Sequence, residues 1–304
     1  MRPSRTAQST APNVRLEKAV QSKPPLIFDN SAVNRLADDP EQAPLLAGMQ
    51  TGFWFRLSGD SVDEIVATTD KARRRLLLDL CKLLLTSGEC LLPHAELIEG
   101  VTKQHATATA FKWDAVGVRC RDLEDEIVRQ EFINDHIAAE QRRLSAVVGN
   151  EFAQIHERAR PHFQKLFRRH GAPPPSLNGL VEALQVPRGA FWSMASDLYS
   201  EPTGVNINEA AARDFVDACP PFRSLLMALC VAQHQRSVQN PRQKSTGVVD
   251  LFASVYLPYC DEFVTADRMQ QEALLQVASL AKLAAKVRSY ADFRAALLLR
   301  GSGA

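Results

Sequence analysis

GVVDLFASVYLPYCDEFVTADRM, residues 247–269, is the stretch that decides the fold predicted for this chain. Its first half predicts a helix, because the apolar residues between positions 251 and 257 lie mainly on one side of a helical projection. Pro258 is expected to end that helix. Asp250 falls early in it, so one carboxylate precedes an apolar segment that must be buried.

The second half of the stretch predicts a strand that ends at another acidic residue. Residues 262–266, EFVTA, are short and β-prone, and Asp267 follows them directly. The segment 268–287 is predicted to be one helix. Ligands of an open α/β sheet bind beyond the carboxyl ends of its strands. Asp267 is therefore expected where such a sheet usually carries its chemistry.

The composition indicates a soluble globular protein. Hydrophobic residues make up 45% of the 304 positions, enough to bury a full core. The 36 basic residues balance 35 acidic ones, and a net charge of +1 gives no global argument for nucleic-acid or membrane binding. The longest apolar run, residues 76–85, is too short to span a bilayer, and no signal-peptide pattern opens the chain. We therefore expect a cytoplasmic protein with no membrane partner.

The first hundred residues alternate between strand and helix patterns. Residues 1–24 are rich in Ser, Thr, Pro, Arg and Lys and are expected to form a flexible arm. Strands are predicted over Pro25–Phe28, residues 52–58 and Cys90–Pro93, each with helices after it. The helix over residues 71–85 is expected to bury Leu76, Leu77, Leu80, Leu83 and Leu84. Alternation of this kind predicts a parallel sheet with helices on its faces.

Residues 101–245 have helical stripes and no strand alternation, which predicts an all-α insertion. The segments on either side of it, residues 25–100 and 246–300, are then two halves of one α/β domain. The expected fold class is α/β, with a central parallel sheet interrupted by the helical insertion.

Four carboxylates are expected to meet at one edge of this sheet: Asp29, Glu64, Asp250 and Asp267. Asp29 ends the first strand, and Glu64 lies on the helix after the second. Like charges at close range raise each other's pKa, so such a cluster favours a hard divalent cation that neutralises it. Mg²⁺ or Mn²⁺ is the expected cofactor, since both take oxygen ligands. A site of this kind activates water for attack on a phosphodiester.

At these residues the sequence resembles the PIN-domain nucleases. The matching segments are IFDNSAVNRL at residues 27–36, SVDEI at residues 61–65 and LPYCDEFVTAD at residues 257–267, together with Asp250. The resemblance covers the two α/β segments, roughly half of the chain. It implies a PIN-like three-layer α/β/α fold and a metal-dependent ribonuclease that prefers single strands and leaves a 5′-phosphate. The large insertion between the second and third acidic positions departs from the compact members of that family.

The resemblance also implies roles for individual residues. Four acidic side chains would hold the metal, and a threonine would supply a hydroxyl group to the site: Asp29, Glu64, Asp250, Asp267 and Thr265.

Helix capping offers a structural explanation for the same acids. Asp29 and Asp267 could each cap the helix that follows, and Ser61 with Glu64 fits a capping box. Asp63 replaces Glu64 if the register of that helix differs by one residue. An acid in the first turn of a helix, such as the one at position 250, is also favoured by the helix dipole, and a threonine in a strand needs no further role.

Basic and amide side chains are candidates for contact with RNA phosphates, although a charge run is usually a solvated helix face. These candidates are Arg73, Arg74, Arg75, Arg168, Arg169 and Asn30.

The first functional hypothesis is therefore an endoribonuclease with an acidic Mg²⁺ or Mn²⁺ site, acting as a toxin, in defence or in RNA processing. A toxin would need an inhibitor protein, which we expect to bind the helical insertion or the arm. Two alternatives remain open: a catalytically inactive scaffold with the same fold, and a structure-specific DNA nuclease. Whether the chain forms a homo-oligomer is also open.

Overall fold

A five-stranded parallel sheet forms the centre of the protein, for which a computed structural model describes residues 23–117, 119–147, 176–238 and 248–301. The strands are β1 Pro25–Phe28, β2 Trp54–Leu57, β3 Gly88–Cys90, β4 Glu262–Thr265 and β5 Lys286–Ser289. Their order in the sheet is β3-β2-β1-β4-β5, and every neighbouring pair is parallel. The predicted α/β class with a central parallel sheet is confirmed. Of the predicted arm, residues 1–22 lie outside the described residues.

The helices of the described chain follow the strands in sequence. In the first part they are α1 Asn30–Ala37, α2 Gln42–Gly52, α3 Gly59–Val66, α4 Lys71–Leu85, α5 His94–Thr107, α6 Arg121–Val128 and α7 135–147. In the second part they are α8 Leu177–Leu184, α9 Ala190–Thr203, α10 Glu209–Ala218, α11 Pro220–Val238, α12 Val248–Phe252, α13 Arg268–Leu280 and α14 Tyr290–Gly301. Short 3₁₀ segments lie at Trp113–Ala115, Glu131–Ile133 and Ala253–Tyr259.

Side chains alternate along the strands and so build one core on each face of the sheet. Leu26 and Phe28 of β1 join the core formed by α1 to α4, α6 and α14, whereas Ile27 between them joins the other. Period-two alternation is what a strand buried on both sides requires. Helices therefore cover both faces, an arrangement compatible with three layers.

Helices of the predicted insertion supply much of the second core. Phe191 on α9, Phe215 on α10 and Phe222 on α11 belong to the same buried cluster as Ile27 and Phe263 of the sheet. The described part of residues 101–245 contains no strand, as predicted. The helices from 177 to 238 thus share a buried core with residues of the sheet, and the domain boundaries proposed from the sequence remain predictions.

The predicted helix over residues 268–287 is wrong at its end. Helix α13 stops at Leu280, and β5 occupies the end of the segment. The backbone N–H of Leu283 donates to Ala278 O at 2.9 Å, and that of Lys282 donates to Ser279 O at 3.2 Å. This is the Schellman pattern, with Lys282 in the left-handed region at φ 54° where glycine is usual. No glycine marks this helix end between residues 268 and 287.

Three further boundaries or burials differ from prediction. The third strand is Gly88–Cys90 rather than Cys90–Pro93: its register with β2 ends at Cys90 opposite Leu57, and the N–H of Leu91 makes one more bond, to Leu57 O at 2.8 Å. The helix expected to end at Pro258 gives way to the 3₁₀ segment after Phe252, and the proline lies inside that segment.

On α4 the buried stripe differs from the predicted one. Leu76 and Leu83 are 45% and 49% exposed, whereas Leu77, Leu80 and Leu84 are buried. Because Leu76 and Leu83 are seven residues apart, they share the outward side of the helix. The leucine-rich run therefore buries only one side of α4.

Candidate active site

Asp29 lies where β1 ends and α1 begins. Its backbone N–H donates to Val264 O at 3.0 Å, which extends the pairing of β1 with β4 by one residue. Its Oδ1 accepts from the N–H of Ala32 at 2.8 Å, so Asp29 is the N-cap of α1. The residue is only 8% exposed. Asp29 thus caps α1, and this role is compatible with the site role predicted for it.

Two hydroxyl groups hold the Asp29 carboxylate against the neighbouring strand end. Ser31 Oγ lies 2.9 and 2.8 Å from its two oxygens, and Thr265 Oγ1 donates to Oδ2 at 2.9 Å. The same hydroxyls accept backbone N–H groups from the end of β4: Ala266 donates to Ser31 and Asp267 to Thr265, at 2.8 and 3.0 Å. The ends of β1 and β4 are thereby joined through polar side chains.

Burial raises the pKa of Asp29 to about 6, from an ordinary value of 3.8, although hydrogen bonds from Ala32, Ser31 and Thr265 act in the opposite direction. Thr265 has a single proton and a second acceptor within reach, Gln270 Oε1 at 2.6 Å. Removal from water therefore outweighs the donors that surround this carboxylate.

Glu64 reaches the same region from α3. This helix begins at Gly59, and its N-cap is Ser58, whose Oγ accepts from the N–H of Ser61 at 3.2 Å. The predicted capping box of Ser61 with Glu64 is therefore wrong, because Ser61 lies inside the helix and its hydroxyl bonds with Ser58 Oγ at 2.7 Å. The Glu64 carboxyl is free of that role and receives a hydrogen bond from Asn30.

Burial among protein atoms raises the pKa of Glu64 to about 7, from an ordinary value of 4.5. The hydrogen bond from Asn30 lowers this pKa, and repulsion from Asp29, Asp250 and Asp60 also raises it. Solvent still reaches the side chain, which is exposed. A carboxyl at the edge of the sheet can have protein atoms on several sides and still contact water. That water screens part of the repulsion between Glu64 and the other carboxylates. Three acidic groups thus act on a fourth.

A chain of side chains orients Asn30 toward Glu64. Asn34 Nδ2 donates to Asn30 Oδ1 at 2.9 Å, which leaves the Asn30 amide nitrogen as the donor to Glu64. Arg73 Nη2 donates to Asn34 Oδ1 at 2.9 Å, and Arg73 also pairs with Asp38. Each member fixes the amide orientation of the next. Asn30 is therefore part of the acidic edge, whereas Arg73 acts on it from a distance.

Asp250 and Asp267 hold different places around this edge. Asp250 is half-buried on α12, its carbonyl accepts from Gln270 Nε2 at 3.1 Å, and its charge acts on Glu64. Asp267 is exposed and caps α13, with Oδ1 accepting from the N–H groups of Met269 and Gln270 at 2.7 and 3.0 Å. Asp29, Glu64 and Asp250 are thus electrostatically coupled, and Asp267 lies beside them at the end of β4.

The structure adds residues that the sequence had not singled out. Asp60 repels Glu64 from one turn earlier on α3, and its carboxylate holds His94 at the start of α5. Ser31 and Gln270 contact Thr265. A sequence signal existed only for Asp60, which follows a predicted strand directly; the partners of the others come from distant segments.

The predicted phosphate contacts are distributed unevenly. Arg75 is exposed, but Arg74 is 0% exposed. The Arg74 guanidinium donates to Thr68 O and Ile133 O and pairs with Asp135, so it joins α4 to the chain before α7 and is unavailable to a ligand in this structure. Arg168 and Arg169 lie outside the described residues.

The acidic side chains at the edge suit a hard cation, since their ligand atoms are carboxylate oxygens. Burial raises the pKa of both Asp29 and Glu64, and neighbouring carboxylates add to the rise at Glu64. Among the described residues, however, no group of three or more His, Cys, Asp or Glu side chains is arranged to hold a metal ion as it stands. Side-chain movement would be needed to gather the ligands.

Comparison of the chain with protein-family models, curated proteins and solved structures found no match. Within the described part of the chain, no single helix has both the length and the apolar composition needed to cross a membrane; only the bent pair Glu209–Ala218 and Pro220–Gln235 meets that test when taken together.

Proposed function

We propose that the protein is a metal-dependent endoribonuclease of the PIN-like kind, with its active site at the carboxyl edge of the sheet. The observation that carries this proposal is the coupling of Glu64 to Asp29 and Asp250, which come from three separate segments of the chain. Carboxylates crowded at a strand edge repel one another and destabilise the fold. A bound divalent cation removes this repulsion by neutralising their charge.

Asp29, Glu64 and Asp250 would hold Mg²⁺ or Mn²⁺, and Asp267 would join them from the end of β4. A bound divalent ion supplies charge neutralisation and an activated water for hydrolysis of a phosphodiester. Ser31 and Thr265 keep the Asp29 carboxylate facing the edge, and Asn30 does the same for Glu64. Arg75, exposed on α4, remains a candidate for contact with the RNA backbone.

A cleavage assay with single-stranded RNA and Mn²⁺ tests the proposal. Asp29→Asn and Glu64→Gln should each abolish cleavage, because each replaces an anionic ligand by a neutral one of the same shape. Asp122→Asn, a change to an exposed acid on α6, is the matched control and should leave the rate unchanged. Full activity in Asp29→Asn would overturn the proposal. Parallel digests of single-stranded DNA and flapped duplex would reveal a DNA nuclease instead.

A scaffold protein with an inactive site is the second candidate, favoured by the lack of a ready metal-ligand group in the described residues. Calorimetric titration with Mn²⁺ separates the two. Binding to the wild type that is lost in Asp29→Asn supports the nuclease, and no binding to either supports the scaffold. An inhibitor protein, a homo-oligomer and a cytoplasmic location remain predictions from the sequence.

A further inference from the structure

Asp60 and His94 form a carboxylate–imidazole pair beside the acidic edge. Asp60 lies in the first turn of α3, after β2, and His94 is the first residue of α5, after β3. The Nδ1 atom of His94 lies 3.0 Å from both oxygens of Asp60, and the His94 backbone N–H donates to Oδ1 at 3.1 Å. The two residues thus meet through both the main chain and the ring.

The ring of His94 is fixed in plane as well as in position. It stacks on Phe252 with centroids 4.5 Å apart and an interplanar angle of 14°. A carboxylate only accepts hydrogen bonds, so Nδ1 carries the proton toward Asp60, and Nε2 is the nitrogen that can exchange a proton with another molecule. The His94 side chain is 23% exposed, so solvent reaches the ring.

The pair lies among the residues of the proposed site. Asp60 is one of the charges that act on Glu64, and Phe252 follows Asp250 by two residues on α12. The imidazole therefore lies between the two helices that carry Glu64 and Asp250.

A buried tyrosine, Tyr256, contacts Asp60 of this pair. The Tyr256 hydroxyl donates to Leu92 O at 3.1 Å and also contacts Asp60, and burial followed by the Asp60 charge raises its pKa well above the ordinary value. Tyr256 therefore keeps its proton, which it donates to Leu92 O.

A purely structural pair would only join α3 to α5, and the main-chain bond to Asp60 already does that. Stacking and a bidentate carboxylate go further, since they hold one ring nitrogen in a set direction. This is the arrangement in which a carboxylate orients a histidine for proton transfer.

We propose that His94 is the general acid of the phosphodiester cleavage, oriented by Asp60 as a positioning residue. This inference rests on the proposed function. As the oxygen of water forms its bond to phosphorus, the water releases a proton to solvent, the bond from phosphorus to the 3′-oxygen breaks, and that oxygen keeps the electron pair. Nε2 of the imidazolium gives its proton to the 3′-oxygen, which leaves as a hydroxyl group. The neutral imidazole then takes a proton from solvent.

The test compares His94→Gln with wild type on two RNA substrates in Mn²⁺. One is an ordinary single-stranded oligonucleotide, and the other carries a 3′-bridging sulfur at the mapped cleavage position. A thiolate leaves without a proton, so a general acid matters only for the oxygen substrate. His94→Gln should lose about 100-fold or more on oxygen and should cleave the sulfur substrate at close to the wild-type rate. Asp60→Asn should slow cleavage of the oxygen substrate by a smaller factor and should also leave the rate on the sulfur substrate close to that of wild type.

His136→Gln, a change to an exposed histidine on α7, is the matched control and should behave as wild type on both substrates. Equal losses of His94→Gln on both substrates, or no loss on either, would overturn the inference while leaving an active wild type as support for the nuclease. A wild type that cleaves neither substrate would overturn the proposed function and the inference with it. Rescue by sulfur also shows that the variant is folded.

Discussion

Replacing Asp29 by Asn is expected to stabilise the protein at neutral pH while removing its activity. The amide keeps an oxygen for the N–H of Ala32, and the hydroxyls of Ser31 and Thr265 can rotate to accept from the new NH₂ group. Shape and capping are thus retained, and the main change is the loss of a buried negative charge.

The size of the effect follows from the pKa of Asp29. At 1.36 kcal/mol per pH unit, a rise from 3.8 to about 6 means that ionisation destabilises the folded state by about 3 kcal/mol. The folded state binds this proton more tightly than the unfolded chain does. The stability contribution is therefore fully present below pH 4 and is lost as the pH rises through 6. Weaker hydrogen bonds of the amide cost about 1 kcal/mol, which leaves a net gain of about 2 kcal/mol at pH 7.5.

Urea unfolding of wild type and Asp29→Asn at pH 4 and pH 7.5, in EDTA, measures this gain. Groups other than Glu64, whose pKa the Asp29 charge raises, titrate alike in both proteins, so the difference between the two free energies reports the Asp29 charge and its repulsion of Glu64. We expect almost no difference at pH 4 and about 2 kcal/mol in favour of the variant at pH 7.5. The quantity to compare is the free energy of unfolding of the variant minus that of wild type. If this difference is smaller at pH 7.5 than at pH 4, the ionised carboxylate stabilises the fold and the reasoning is refuted.

Three other substitutions test the packing around the edge. Gly59→Ala should destabilise by about 1–3 kcal/mol in thermal unfolding, because its Cβ would lie 2.4 Å from a proline backbone nitrogen, whereas Gly52→Ala meets nothing within 4 Å and should be tolerated. Arg74→Ala should cost about 2–4 kcal/mol in urea unfolding, since two backbone carbonyls lose their donor, and exposed Arg75→Ala should cost almost nothing. Asn34→Ala should slow Mn²⁺-dependent RNA cleavage about fivefold, the equivalent of one hydrogen bond of about 1 kcal/mol, with stability unchanged.

Each of these has an outcome that contradicts it. Equal stability of the Gly59 and Gly52 variants would mean that α3 shifts freely against the start of α5. A harmless Arg74→Ala that weakens RNA binding would return Arg74 to the phosphate contacts. An Asn34→Ala variant with the full wild-type rate would mean that Glu64 needs no orientation through Asn30.

The sequence predicted the strands whose apolar runs end at polar residues. Pro25–Phe28 is followed by Asp29 and Glu262–Thr265 is closely followed by Asp267, and both strands were found where expected. These cases are readable because a buried strand and the turn after it differ sharply in composition. Asp29 and Asp250 both raise the pKa of Glu64, whereas the convergence of all four carboxylates in a metal site stays a prediction.

The misses have physical causes. The strand Lys286–Ser289 was missed because the end of the helix before it is not marked by glycine. Lys282 takes the left-handed conformation there, which glycine usually adopts. Arg74 was assigned to the surface because a buried arginine is rare and its partners, at 68, 133 and 135, come from other segments. His94 and Asp60 are 34 residues apart, and only the parallel neighbours β2 and β3 bring them together. Contacts that depend on the order of strands in the sheet cannot be predicted from local sequence patterns.

Anomalous diffraction from crystals soaked in Mn²⁺ tests the central claim most directly. The account predicts a manganese peak in contact with the carboxylates of Asp29 and Glu64, absent from crystals of Asp29→Asn. No peak at this edge of the sheet in the wild type, at Mn²⁺ concentrations that support RNA cleavage, would contradict it.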